Sequence, residues 1–234
     1  MLGLACIGGE GPEPDFCRFL ARGADIIAAA DSGLILAENA GLIPDWIIGD
    51  MDSLGIDASE ADASGSDQGR LEKYPSEKIR RFPHDKDFTD TELALELLWE
   101  KGCSEIWILG GGGGRTDHLL AIRSLFEREK TPSRWITAAE DIRCLDGSGD
   151  RELNLSLPAS TLVSVLPLGI GPWEAESFGL KWPLKGLNWS RGFIAISNRT
   201  VEEQFTIRVI QGRLMIIVPI INYLSYGELT WQSS

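Results

Sequence analysis

The sequence predicts a chain in two parts. An α/β region over residues 1–138 holds a Rossmann-like parallel sheet with flanking helices. An all-β region over 139–234 forms a β-sandwich or small barrel. Three observations carry this. Up to about residue 140, short apolar runs alternate with helical patterns, as strands of a parallel sheet alternate with crossover helices. Beyond it, short alternating strands follow one another, broken by Gly, Pro and Asn. The length, 234 residues, accommodates one large domain or two small ones.

Element by element, Leu2–Ile7 reads as the first strand and Ile26–Ala30 as the second. Asp31-Ser32-Gly33 then leads into a helix from Leu34 to Ala40, stopped by Gly41. Trp46–Ile48, entered through Pro44, is the third strand, and Ile79–Phe82 is the fourth. Thr91–Lys101 is the clearest helix. Thr89-x-x-Glu92 is a capping-box pattern, Leu93 and Leu97 share a face, and Gly102 sits at the stop. Ile106–Leu109 is the fifth strand, followed by a glycine run and a helix with Leu119, Ile122 and Phe126 on one face. In the second part, Leu153, Leu155 and Leu157 alternate with polar residues. Leu162–Leu166, Phe178–Trp182, Phe193–Ile196, Phe205–Ile210 and Leu214–Val218 follow as strands, with Gln211-Gly212 read as a tight hairpin. The stretch Gly55–Arg70, small and acidic, reads as a loop excursion.

Composition excludes several partners. Lys plus Arg is 22 and Asp plus Glu is 35, a formal net charge of −13. That charge repels a nucleic-acid backbone and an anionic membrane surface. The apolar run Leu214–Ile221 is interrupted by Pro219 and is far too short to span a bilayer. The opening MLGLACIGGE lacks a basic flank and reads as a strand, not a signal peptide. Cys6, Cys17, Cys103 and Cys144 are widely spaced, which argues against a zinc site or a disulfide framework and for a reducing cytoplasm. His84 and His118 read as orienting or surface residues. The P-loop, GxGxxG and GxSxG signatures are absent.

What remains is a set of acidic residues at strand ends, where an open α/β sheet places its ligands. Asp31 follows the second strand, and Asp50-Met51-Asp52 follows the third. Asp85, Lys86, Asp87 and Asp90 follow the fourth; Gly110–Gly114 and Arg115-Thr116-Asp117 follow the fifth. Parallel strands would gather all of these on one edge. Two carboxylates about 4 Å apart repel by roughly 4 kcal/mol at an effective dielectric of 20, so a gathered set calls for a cation. Hard oxygen ligands together with phosphate suit Mg²⁺. The glycine run offers backbone N–H groups at a helix N-terminus, and Lys86 and Arg115 offer positive charge, for a chain of phosphates. Each signal alone has a plainer reading. A D-x-D is solvated turn chemistry, five glycines are a flexible loop, Asp90 favours a helix start, and Arg115–Asp117 is a surface ion pair.

The ordered set resembles a known family. Ala29–Gly33 (AADSG), Pro44–Ser53 (PDWIIGDMDS), Lys86–Asp90 (KDFTD) and Gly112–His118 (GGGRTDH), with Gly179–Leu184 (GLKWPL) and Ser197-Asn198, are similar to the thiamine pyrophosphokinases. The resemblance implies a cytoplasmic transferase that moves the pyrophosphoryl group of ATP to the thiamine hydroxyl, giving thiamine diphosphate and AMP. It implies that Asp50, Asp52 and Asp90 hold Mg²⁺, with Asp31 close by at the nucleotide or metal. Asp87 or Asp90 would accept the hydroxyl proton. Lys86, Thr89, Arg115, Asp117, His118 and the backbone of Gly111, Gly112, Gly113 and Gly114 would serve ATP. It further implies a homodimer, with thiamine between the α/β domain of one subunit and the β-domain of its partner. Trp182, Ser197 and Asn198 would then serve the vitamin. An aromatic face suits a flat cationic heterocycle, and Asn or Ser suits an aminopyrimidine edge; a core tryptophan and a strand-ending turn are the plainer readings. Gly55–Arg70 and Pro219–Ser234 carry no assigned role. Two other functions compete: a different Mg²⁺-dependent nucleotide enzyme, and a non-catalytic binding module.

Overall fold

The computed structural model describes residues 1–50, 70–83, 85, 87–149 and 151–221. It divides into two compact units, Met1–Ala138 and Ala139–Ser234. The expected 55–70 excursion, Arg70 excepted, and the tail from 222 onward lie outside the described residues.

The first unit is built on strands β1 (Leu2–Cys6), β2 (Ile26–Ala30), β3 (Trp46–Gly49), β4 (Ile79–Arg81), β5 (Glu105–Leu109) and β6 (Arg134–Ile136). Their order is β6-β5-β1-β2-β3-β4, and every neighbouring pair is parallel. The chain thus winds outward from β1 in both directions, with the switch between β1 and β5. Open α/β sheets bind their ligands beyond the carboxyl ends of the strands near such a switch. The central strands bury most of their side chains, including Leu4, Ala28, Ile47, Ile48, Ile106 and Ile108, as helix cover on both faces requires, while the edge strand β4 buries none fully.

Four described helices join these strands: α1 (Pro14–Ala21), α2 (Gly33–Asn39), α3 (Asp90–Glu100) and α4 (Thr116–Leu125). The sequence reading missed α1. Its signals were Pro14 in the first turn and Phe16, Cys17 and Leu20 on one buried face. Helix α3 carries the expected capping box, but its core face is Ala94, Leu95, Leu97 and Leu98 rather than a Leu93–Leu97 stripe. It packs on β1, β2 and β3, which fixes its N-terminus at the sheet's carboxyl edge. Strand β6 was also missed, because it opens on Arg134; that side chain is buried with its guanidinium 4.7 Å from the Trp107 ring.

The second unit holds β7 (Glu140–Asp146), β8 (Glu152–Ser156), β9 (Leu162–Leu168), β10 (Glu174–Phe178), β11 (Ala195–Arg199), β12 (Gln204–Gln211) and β13 (Arg213–Pro219). Antiparallel β7-β13-β9-β11 form one sheet and β10-β12-β8 another. Val163, Val165, Leu214 and Ile216 from the first sheet share a core with Leu153, Ala175, Phe205, Ile207 and Val209 from the second. Two sheets facing a common core make this a sandwich.

Three sequence expectations change here. Gln211-Gly212 is not a hairpin: β12 pairs with β10 and β8, while β13 pairs with β7 and β9, so Gly212 passes the chain from one sheet to the other. Alternation shows which residues face inward but not which strands pair. The expected strand Phe178–Trp182 ends at Phe178, where the chain turns at Gly179. The expected strand Phe193–Ile196 shifts to Ala195–Arg199, so Ser197 and Asn198 lie inside a strand. No helix among the described residues is long and apolar enough to cross a membrane.

Candidate functional site

Asp31, Asp50 and Asp90 come together at the carboxyl edge of the first sheet. Each offers a carboxylate oxygen, and the three oxygens lie within 4.8 Å of one another, half-buried. Adjacent parallel strands β2 and β3 end side by side, which places Asp31 and Asp50. Asp31 adopts φ 45°, a left-handed conformation uncommon outside glycine. Its N–H donates to the Ile48 carbonyl (2.9 Å) and its carbonyl accepts from Leu34 N–H (2.9 Å), so the turn is held from both sides. Asp90 opens α3, where the helix dipole favours a carboxylate.

Glycine at 49 makes this gathering possible. Its φ is +145°, and a Cβ built there would lie 1.8 Å from Asp31 Oδ1 and 3.3 Å from Asp90 Oδ1. The missing side chain is the space the Asp31 carboxylate occupies.

Asp31, Asp50 and Asp90 line a cavity of about 870 Å³, together with Gly8, Gly9 and Glu10 after β1 and Gly111–Gly114 after β5. The glycine turn is fixed to the β1 loop. Gly111 N–H donates to Gly8 O (2.8 Å), Gly112 N–H to Glu10 O (2.9 Å), and Glu10 N–H to Gly112 O (2.8 Å). Gly110 N–H donates to Ile136 O (2.9 Å). The N–H groups of Gly110, Gly111 and Gly112 are therefore engaged within the protein, and Gly113 and Gly114 are the exposed part of the turn. An anion arriving at this turn meets those two residues first.

Arg115 and His118 also line the cavity. Arg115 forms an exposed two-point ion pair with Asp117 (2.6 and 3.1 Å), which holds the Asp117 carboxyl below its ordinary range. Asp117 and Asp87 are exposed and are not among the lining residues. Thr89 lines the cavity, with its hydroxyl inside the capping box: it accepts from Glu92 N–H (3.2 Å) and donates to Glu92 Oε2 (2.8 Å). Asp52, Lys86 and His84 lie outside the described residues.

Several lining residues escaped the sequence reading, among them Phe88, Glu10 and Arg128. Phe88, 56% exposed at the rim, had one signal, an aromatic side chain in a polar turn. Glu10 follows Gly8-Gly9, and Arg128 follows α4; neither stands in a recognisable pattern.

In the second unit, Trp182 is 52% exposed, so it is not a core aromatic. Asn198 holds its backbone in place: Trp182 N–H donates to Asn198 Oδ1 (3.1 Å), and Asn198 Nδ2 donates to Trp182 O (2.7 Å). Asn198 is 4% exposed, and its Oδ1 also accepts from Arg199 N–H (2.8 Å), so the amide is engaged as a brace. Ser197, exposed at φ 61°, sits at an irregularity in the β11–β9 register, and its N–H donates to Ser164 Oγ (3.3 Å).

Comparison with known proteins follows the same division. Residues 17–136 match the family described as "Thiamin pyrophosphokinase, catalytic domain", and residues 152–214 match "Thiamin pyrophosphokinase, vitamin B1 binding domain". The chain belongs to the thiamin pyrophosphokinase family. A thiamine pyrophosphokinase of Bacillus subtilis (strain 168) is 29% identical over 192 residues, covering 80% of this chain and 84% of that protein. The crystal structure of thiamin pyrophosphokinase from Geobacillus thermodenitrificans has a TM-score of 0.68 at 26% identity, covering 95% of this chain and 99% of that one. The Bacillus subtilis crystal structure has a TM-score of 0.74 at 23% identity, covering 94% and 100%, and speaks to the fold. Within this family, the first unit's aspartate cluster falls in the catalytic-domain match and Trp182 in the vitamin-binding match.

Proposed function

We propose that this chain transfers the pyrophosphoryl group of ATP to the hydroxyl of thiamine, giving thiamine diphosphate and AMP. The observation that carries the reading is the Asp31–Asp50–Asp90 cluster beside the Gly113-Gly114 turn, within a region that matches the family's catalytic domain. Carboxylate oxygens alone form a hard donor set, and three of them within 4.8 Å fit Mg²⁺. Asp31, Asp50 and Asp90 would hold it, with Asp52 expected from the sequence to join them. When bound, the metal supplies charge neutralisation for a triphosphate and polarisation of its oxygens.

The remaining work is positioning and electrostatics. The Gly113 and Gly114 backbone would receive phosphate oxygens, and Arg115 at the rim would offset their charge. Of the two carboxylates considered as acceptors of the thiamine proton, Asp90 lines the cavity and Asp87 does not. That favours Asp90. Trp182 offers an exposed aromatic face to the thiazolium and pyrimidine rings. Asn198 acts on the vitamin through Trp182, whose backbone it holds, and Ser197 adds a hydroxyl beside it.

We further propose a homodimer in the cytoplasm, the β-sandwich of one subunit completing the site of its partner. The exposed Trp182, Ile194 and Ile196 of the second unit support an apolar contact. Four buried, unbridged cysteines accord with a reducing compartment.

A substrate panel with product analysis tests the reaction. AMP and thiamine diphosphate form together, in equal amounts, only when thiamine is present. ADP as product, or nucleotide turnover without thiamine, rejects pyrophosphoryl transfer. Trp182→Ala raises the thiamine KM about tenfold and leaves the ATP KM unchanged. An unaltered thiamine KM removes Trp182 from the vitamin site. Dilution that separates the subunits abolishes turnover; full specific activity in the monomer refutes the shared site.

A further inference from the structure

We infer that Arg128 is a positioning residue for Asp90, acting through Glu92. The inference rests on reading Asp31, Asp50 and Asp90 as the divalent-cation site. Asp90 is the first residue of α3, so its carboxylate goes where the first turn of that helix points it. That turn is set by Thr89, extended at φ −72°, ψ 156°, and by its capping box.

Glu92 holds the box with one oxygen. Its Oε2 accepts from Thr89 N–H (2.8 Å) and from the Thr89 hydroxyl (2.8 Å). Its other oxygen, Oε1, accepts from Arg128 Nη2. The Glu92 side chain is 14% exposed, so the carboxylate is desolvated and its direction is dictated by these partners. Burial raises its pKa, but the Thr89 N–H and Arg128 outweigh burial and hold it below the ordinary carboxylate range.

Arg128 comes from a different element, just beyond the end of α4. Helix α4 begins at Thr116, directly after the glycine turn and Arg115. Thr89, Asp90, Glu92 and Arg128 all line that cavity. The Arg128–Glu92 pair therefore ties the helix that carries one proposed metal ligand to the helix that follows the phosphate turn. An ordinary capping box needs no such tie: Thr89 and Glu92 satisfy each other within α3. The added guanidinium fixes the carboxylate of Glu92 from outside, and with it the entry angle of Asp90. Groups hydrogen-bonded directly to a metal ligand carry tenfold to hundredfold effects on metal affinity in other proteins, and Arg128, which acts through Glu92 and Thr89, falls at the lower end of that range.

The test uses the full chain and measures binding of Mn²⁺ alone, by electron paramagnetic resonance, before any kinetics. Wild-type protein binds Mn²⁺ and Asp50→Asn does not; if either fails, the cation-site reading itself falls. Given that, Arg128→Ala weakens Mn²⁺ binding about tenfold and leaves the thiamine KM unchanged. Arg128→Lys, which keeps a donor in reach of Glu92, recovers most of the affinity. Glu92→Gln weakens binding similarly, and the Arg128→Ala/Glu92→Gln double variant is no worse than the poorer single one. Unchanged Mn²⁺ affinity in Arg128→Ala overturns the inference. In that case a lowered Tm alone makes Arg128 a structural tie, and a raised ATP KM makes it a direct phosphate contact.

Discussion

Asp50→Asn lowers kcat by about two to three orders of magnitude while the protein stays folded. The substitution keeps shape and volume and removes one negative charge from three carboxylates whose oxygens lie within 4.8 Å. At that separation and an effective dielectric of 20, each pair repels by roughly 3–4 kcal/mol. Without metal, the variant is therefore as stable as the wild type or more so. With metal, the order reverses. Saturating Mg²⁺ raises the wild-type melting temperature, because a ligand that binds only the folded state stabilises it by about 2.7 kcal/mol at a hundred times its Kd. The variant gains little. Kinetics at saturating Mg²⁺, paired with melting curves at zero and saturating metal, check both halves. Near-normal turnover, or an equal metal-induced shift in the two proteins, takes Asp50 out of the cation site.

Gly49→Ala removes activity from the opposite direction, by leaving every carboxylate in the sequence and denying one of them its place. The new Cβ would sit 1.8 Å from Asp31 Oδ1 and 2.7 Å from its Cγ, far inside contact distance. The backbone does not yield easily. Gly49 pairs with Arg81 in the β3–β4 register, and its carbonyl accepts from Phe82 N–H (3.1 Å). Its φ of +145° is itself unfavourable for an L side chain, at a cost of about 1–3 kcal/mol. The Asp31 carboxylate must swing away. The expected result is a loss of at least a hundredfold in kcat and a melting temperature lower by several degrees. Asp31→Ala in the Gly49→Ala background separates the two effects. It relieves the clash and recovers part of the lost stability, while activity stays low. Full activity in Gly49→Ala alone means that the Asp31 carboxylate has no part in the reaction.

Much of the site was legible in the sequence because parallel sheets turn order along the chain into position in space. Asp31, Asp50 and Asp90 each follow a recognisable strand or open a recognisable helix, so their meeting was foreseeable from the pattern alone. The capping box at Thr89 and Glu92 was legible for the same reason: both partners lie within one helical turn. The Glu92–Arg128 pair was not, since its members stand 36 residues apart and only the folded chain brings the segment after α4 to the first turn of α3. Asn198 shows the limit from the other side. Its side-chain chemistry suits an aminopyrimidine, but only the folded chain reveals that its amide is already bonded to the backbone of Trp182.

Residue type and spacing by themselves indicated the two-part architecture and the acidic edge of the first sheet, while an ordered set of motifs carried the resemblance to the family. The first two depend on local periodicity and on residues that act where their own strand ends. Tertiary structure alone decided which glycine amides are engaged within the protein, that Gly212 hands the chain between sheets, and that Trp182 is presented outward on the Asn198 brace. Each of these turns on a hydrogen bond or close approach between segments distant in the chain, and no local pattern encodes which distant partner a backbone group will find.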